Sequence, residues 1–224
     1  MTTGIHRAGR GFFALLSLLL PSLLLMPPGV MAEGTGTRTT REIVLGMGCF
    51  WGAEKRMAAL PGVLEVEAGY AGGDAAETDY AQVGALERKI RAGEVHARNH
   101  AEVVKLRFDP ARISLEQVLI AFWTNHDPTQ GNRQGNDVGS NYRSAIYYQT
   151  EAEKALALKT RDIYAEALRH AGHSAITTEI APLRHYNRAE DYHQDYLVKN
   201  PDGYCGLGGT GVPWPETTLS HDCH

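Results

Sequence analysis

The chain has 224 residues, 43% of them hydrophobic, with 22 Lys+Arg against 26 Asp+Glu for a formal charge of −4. That length suits one domain with a substantial core. The mildly acidic balance gives no electrostatic case for nucleic acid or an anionic membrane as partner, and Cys49, Cys205 and Cys223 are too few and too scattered for a disulfide scaffold.

Residues 1–32 read as a secretory signal. His6, Arg7 and Arg10 form a basic start, residues 12–26 are an apolar run broken only by Ser17, Pro21 and Ser22, and Val30 and Ala32 are the small residues a signal peptidase reads. Export is the expectation, to a periplasm-like compartment, with no stable membrane association once the signal is cut. A retained membrane anchor is the alternative, although a short run containing Pro21 is a poor spanning helix. Residues 33–41 are a Gly/Thr-rich leader.

A strand is expected at 42–45, stopped by Gly46 and Gly48, and a helix at 53–60, stopped by Pro61-Gly62. Alternation marks 63–68 as a strand that breaks into a loop at Gly69. Residues 100–108 form another strand, and Ser114 caps a helix with the stripe Leu115, Val118, Leu119, Phe122 and Trp123. A polar loop follows over 125–142, long enough to suggest a functional role. A short strand at 144–148 leads to a helix opened by a Thr150–Glu153 capping box and closed by Gly172. Residues 175–180 are strand-like. Asn187 and Glu190 suggest a second capping box and a helix to about Val198, after which the chain from Asp202 is mobile Gly- and Pro-rich coil. Strands and helices mix without steady alternation, so the fold class is α+β: a single domain over 42–212, a mixed sheet packed with helices, and a coil tail over 213–224.

Three features could carry chemistry. Cys49 lies on a glycine-bracketed turn at a helix N-terminus, where free amides and the helix dipole favour a thiolate. It is then a nucleophile, flanked by Phe50 and Trp51; the other reading is a buried structural cysteine. Glu102 shares a strand face with Val104, Leu106 and Phe108, opposite Lys105 and Arg107. Burial there raises a carboxyl's pKa and makes it a general acid; the other reading turns it into solvent. Cys205, in a glycine-rich tail, could condense with an oxidised Cys49. No metal site is expected, because His221, Cys223 and His224 lack a second ligand pair. A cysteine hydrolase or acyl transferase is the alternative activity, with His100 or His126 as base.

Several strings in order resemble the A-type peptide methionine sulfoxide reductases: GCFWGAEK at 48–55, GYAGG at 69–73, HAEVV at 100–104, FWTNHDPTQGNRQGNDVGSNYRSAIY at 122–147, AEDYHQDYL at 189–197 and GYCGLGG at 203–209. The resemblance implies a ferredoxin-like core and reduction of the S-epimer of methionine sulfoxide, free or in peptides, to methionine. It implies Cys49 as the attacking thiol, Phe50 and Trp51 as the wall for the substrate methyl, and Glu102 as the acid at the sulfoxide oxygen. Tyr80 and Tyr142 would hydrogen-bond that oxygen, Asp137 and Tyr196 would line the pocket, and Cys205 would resolve the sulfenic acid as a disulfide. It implies no cofactor beyond an external dithiol reductant such as a thioredoxin-like protein. Residues 84–99 run longer than the family's usual spacing, and Pro213 stands where some relatives carry a further recycling cysteine.

Overall fold

The computed structural model describes residues 39–216. The expected signal, nearly all of the leader, and the end of the tail with Cys223 lie outside those residues.

Strand β1 (Arg41–Met47) begins inside the expected leader and leads through a turn to helix α1 (Phe50–Ala58). Strand β2 (Val63–Ala71), helix α2 (Tyr80–Arg91), strand β3 (Ala101–Phe108) and helix α3 (Leu115–Asn125) follow. A small hairpin of β4 (Arg133–Gln134) and β5 (Asp137–Val138) and a single helical turn at Ser140–Tyr142 fill the polar loop before β6 (Ser144–Tyr148). Helix α4 (Glu151–His170), strands β7 (Glu179–Pro182) and β8 (Tyr186–Arg188), and the short helix α5 (Tyr196–Lys199) complete the elements.

The main sheet has six strands in the order β7-β6-β1-β3-β2-β8. Its centre, β6-β1-β3-β2, is antiparallel throughout, and with α1 and α3 it makes the βαββαβ ferredoxin-like pattern. Strand β7 adds in parallel at one edge and β8 antiparallel at the other, so the sheet is mixed. Strand alternation sorts the core. Ile43, Leu45, Met47, Val104, Leu106 and Phe108 face the helices, packing on Met57, Leu119, Phe122 and Tyr164. Val44, Ala71, Val103 and Tyr147 face the other side, under Ala181, Leu183 and Tyr186. Both predicted caps at Ser114 and Thr150 form, each as a reciprocal capping box. Among the described residues no helix is long and apolar enough to cross a membrane.

Four local expectations are corrected, and one helix stands where no element was expected. β2 does not break at Gly69: the glycine lets Tyr186 of β8 lie across it, since a Cβ there would stand 2.6 Å from the tyrosine ring. Residues 80–91 are a helix, capped by Asp79 accepting from the Gln82 amide. The Asn187–Glu190 capping box does not exist, because Asn187 pairs with Tyr70 in the sheet and Glu190 spends its oxygens on the Tyr80 amide and the Tyr70 hydroxyl. The tail is coil but anchored: Arg56 donates to the Leu207 carbonyl at 2.6 Å, Tyr164 donates to that of Val212, and Trp214 stacks on Tyr164. The strand expected at 175–180 lies slightly later, at Glu179–Pro182.

Candidate active site

The chain reverses from β1 into α1 at Gly48, whose φ of +99° is open to glycine and which sits hard against Gln134. That turn sets Cys49 at the N-cap of α1, with the amides of Trp51 and Gly52 directed at its sulfur. The next amide, of Phe50, donates to the Glu102 carboxylate at 3.2 Å. β3 brings Glu102 to this point, opposite Tyr70 in the register with β2. Acid and thiol thus meet at one helix terminus, although they lie far apart in the chain.

Glu102 is only 3% exposed. Burial, reinforced by Asp137, pushes its carboxyl up to about 8, against the opposing hydrogen bonds from the Phe50 amide and the Asn141 side chain. It therefore holds its proton at neutral pH, as strand alternation led us to expect. Cys49 departs from expectation. Burial pushes its thiol up to about 12, the Glu102 carboxylate and Asp137 push the same way, and the amides of Trp51 and Gly52 do not compensate. The ionised resting thiol expected from the helix terminus is absent because desolvation outweighs two amide dipoles. Cys49 and Cys205 are both free thiols, the first buried and the second exposed.

Phe50 is fully buried beneath the site, against Tyr70 and His193. Trp51 is half-buried, stacked on Tyr196 with centroids 3.7 Å apart and planes 11° off parallel. Its indole N–H donates to Nδ1 of His193 at 3.1 Å, which leaves that imidazole neutral, with its proton on Nε2. Tyr80 opens α2, half exposed, with its ring on His193 at 4.8 Å. Tyr142 is half-buried close to Glu102; burial first and then that carboxylate push its phenol up, so it remains a donor. Asp137 shares a hydrogen bond with Tyr204 of the tail, and burial raises its pKa. Cys205 comes down on the first turn of α1: a Cβ on Gly52 would stand 3.0 Å from its sulfur.

Every residue expected at the site is thus found around the N-terminus of α1 or its aromatic rim. Sequence reasoning missed His193, which holds Trp51, and Asn141, which touches Glu102; both lie within the strings that carried the resemblance. His100 and His126, the bases a hydrolase would need, are engaged elsewhere. His100 bonds Gly73 and Ala75, and His126 bonds the Phe122 carbonyl and the Ser144 hydroxyl.

Residues 41–210 match the family model for peptide methionine sulfoxide reductase. The peptide methionine sulfoxide reductase of Agrobacterium fabrum is 54% identical over 171 residues, which are 76% of this chain and 74% of the relative. The mitochondrial enzyme of Bos taurus is 48% identical over 176 residues, 79% of this chain and 71% of that one. Among solved structures, methionine sulfoxide reductase A of Corynebacterium diphtheriae has a TM-score of 0.66 at 40% identity, covering 81% of this chain and 85% of that one. The motif order, the fold and these likenesses converge on one conclusion: this chain belongs to the peptide methionine sulfoxide reductase family, oxidoreductases that reduce methionine sulfoxide.

Proposed function

We propose that the chain reduces the S-epimer of methionine sulfoxide through a sulfenic acid on Cys49 and then a Cys49–Cys205 disulfide, in exported proteins. The observation that carries this reading is the buried Glu102 carboxyl, pushed up to about 8 by that burial, beside the N-terminus that bears Cys49.

A sulfoxide oxygen leaves sulfur poorly until it is protonated. Glu102 gives its proton to that oxygen while Tyr142 and Tyr80 donate hydrogen bonds to it, which makes the sulfur electrophilic. The substrate methyl rests on Trp51, held in place by Tyr196 and His193. The Cys49 sulfur then bonds to the sulfoxide sulfur as the thiol proton passes to the Glu102 carboxylate. The hydroxyl then passes from the substrate sulfur to Cys49 as its bond to that sulfur and the new sulfur–sulfur bond both break, and methionine leaves reduced by two electrons while Cys49 is oxidised by two to the sulfenic acid. Cys205 attacks the sulfenic sulfur, a disulfide forms and water departs. An external dithiol protein of thioredoxin type reduces that disulfide, and no metal or organic cofactor takes part.

Export rests on the basic and apolar pattern of residues 1–32. The mass of the protein recovered from the periplasm checks it: cleavage after Ala32 is the expected result, and an intact N-terminus supports the anchored alternative. For the chemistry, stereodefined sulfoxide peptides are offered to the wild type and to Cys49→Ser with a dithiol reductant. Wild type should reduce the S-epimer alone and the variant neither. Turnover by the variant, or equal use of both epimers, refutes the reading. Cys205→Ser should complete one turnover and then stall when a dithiol protein is the reductant.

A further inference from the structure

We propose that Tyr192 is an outer subsite for the peptide substrate: its ring receives a large apolar side chain, Phe above all, from a residue within two positions of the methionine sulfoxide. Tyr192 thereby determines which sequences around an oxidised methionine are preferred. The inference rests on the reading above, in which the substrate methyl lies against Trp51.

Single exposed hydrophobic side chains are ordinary on a protein surface, but Tyr192 is the outer end of an aromatic strip. His193 is the hub of that strip. Its imidazole is only 3% exposed, with its centroid 4.9 Å from Phe50, 5.7 Å from Trp51, 4.8 Å from Tyr80 and 4.3 Å from Tyr192. Exposure rises along the strip: Phe50 is buried, Trp51 half-buried, Tyr80 48% exposed and Tyr192 61% exposed. The wall that takes the methyl thus continues, through His193, onto a surface that faces solvent. The family acts on peptides, so residues flanking the sulfoxide must lie somewhere beside this wall. From Trp51 to Tyr192 there are two centroid steps, of 5.7 and 4.3 Å. An extended peptide advances about 3.3 Å per residue, so a side chain one or two positions from the sulfoxide spans them.

Tyr192 is exposed but not loose, because its neighbours in the chain are fixed. Glu190 accepts from the Tyr80 amide at 2.9 Å and the Tyr70 hydroxyl at 3.0 Å. The His193 amide donates to the Glu190 carbonyl at 2.9 Å. Gln194 is buried, accepting from the Ala68 amide at 2.9 Å and donating to the Ala68 and Ala189 carbonyls at 3.0 and 2.9 Å. The ring is therefore presented before a ligand arrives, and docking on it orders little of the protein. The acids around it are already engaged. Asp191 pairs with Arg188 at 2.6 Å, Asp79 caps α2, and Glu190 holds the two donors just named. What the ring offers is its apolar face, which selects an apolar side chain rather than a base.

The test uses N-acetylated pentapeptide amides with a central S-sulfoxide in a serine background. Each carries one Phe at one of the two positions before or the two positions after the sulfoxide. The all-serine peptide and free methionine S-sulfoxide are the references. Phe at one position should raise wild-type kcat/KM by about three- to tenfold over the all-serine peptide, the range for one aromatic pair. The gain should appear in KM, since the contact is the same in ground and transition states. Tyr192→Ala should remove this preference and Tyr192→Phe should keep it. A preference that survives in Tyr192→Ala, fails in Tyr192→Phe or appears at none of the four positions overturns the subsite and leaves the reductase reading standing. An equal loss on every substrate in Tyr192→Ala, the free amino acid included, also overturns it, because the ring would then act on the site through His193. A wild type that reduces no S-sulfoxide overturns the reading above, and the subsite with it.

Discussion

Replacing Glu102 by Gln should make the protein more stable and nearly inactive, and the size of the gain should depend on pH. Gln keeps an oxygen for the Phe50 amide, which donates to Glu102 at 3.2 Å, but has no proton to give. At about 1.4 kcal/mol per pH unit between an ordinary value of 4.5 and about 8, ionised Glu102 costs the folded state about 5 kcal/mol. Between those two values the folded chain binds a proton that the unfolded chain has released. Wild-type stability therefore falls as pH rises through that window, and the whole penalty is present only above it. Below the lower value both states are protonated and the penalty vanishes. Gln has no such term, and every other titrating group is common to both proteins and cancels in the difference. The stability gap between variant and wild type should thus grow by about 3–4 kcal/mol from pH 5 to pH 8. Urea unfolding of the reduced proteins at both values measures it, with equal slopes confirming a common denatured state. Turnover should fall by roughly 10²- to 10⁴-fold, the range for loss of a general acid. A gap that stays constant with pH would show that Glu102 is not held protonated, and the argument from its burial would fail.

Iodoacetamide should label Cys49 slowly near neutral pH and about tenfold faster per pH unit well into the alkaline range, because its thiol is pushed up to about 12; a plateau near pH 8 contradicts this. Gly48→Ala should cost about 3 kcal/mol, from the positive φ and a Cβ placed 2.6 Å from that of Gln134, and an unchanged urea midpoint counts against it. His193→Phe strands the Trp51 indole N–H, a loss of about 1–3 kcal/mol. It should raise KM for a sulfoxide peptide more than it lowers kcat, so an unchanged KM rejects His193 as the support of Trp51.

What could be read from the sequence was what its nearest neighbours decide. The capping boxes at Ser114 and Thr150 close within three residues, so the local string contains them whole. The burial of Glu102 follows from alternation with Val104 and Leu106, one strand's own property. What was missed depends on partners distant in the chain. Helix α2 has little apolar periodicity, and its buried acid answers to Ser140, 53 positions away. Glu190 looked like a local cap because nothing nearby revealed Tyr70, 120 positions back. His193 lies 142 positions from the indole it orients. The ionisation of Cys49 was misread for the same reason: helix amides are local, whereas the enclosing walls and the carboxyl of Glu102 are not.

The corrected state of Cys49 changes how the site must work. Glu102 and the Cys49 thiol each disfavour the other's negative charge, so near neutral pH the resting pair is neutral on both sides. Before substrate arrives the pair is therefore predominantly a thiol and a carboxylic acid. In the mechanism proposed above, once the sulfoxide oxygen takes the Glu102 proton, the new carboxylate stands beside a thiol still holding its own. Separate ionisation of that thiol would put two negative charges in one buried space, which is the least favourable ordering. That mechanism therefore has the thiol proton move to Glu102 as the sulfur–sulfur bond forms, so that only one of the pair is charged at any moment. Burial, more than this coupling, keeps the Cys49 thiol dormant. A thiol raised from 9.0 to about 12 is ionised about a thousandfold less near neutral pH, and it should react correspondingly slowly with free oxidants. Activation then depends on a ligand whose oxygen can accept the proton of Glu102, and a methionine sulfoxide brings that oxygen with it.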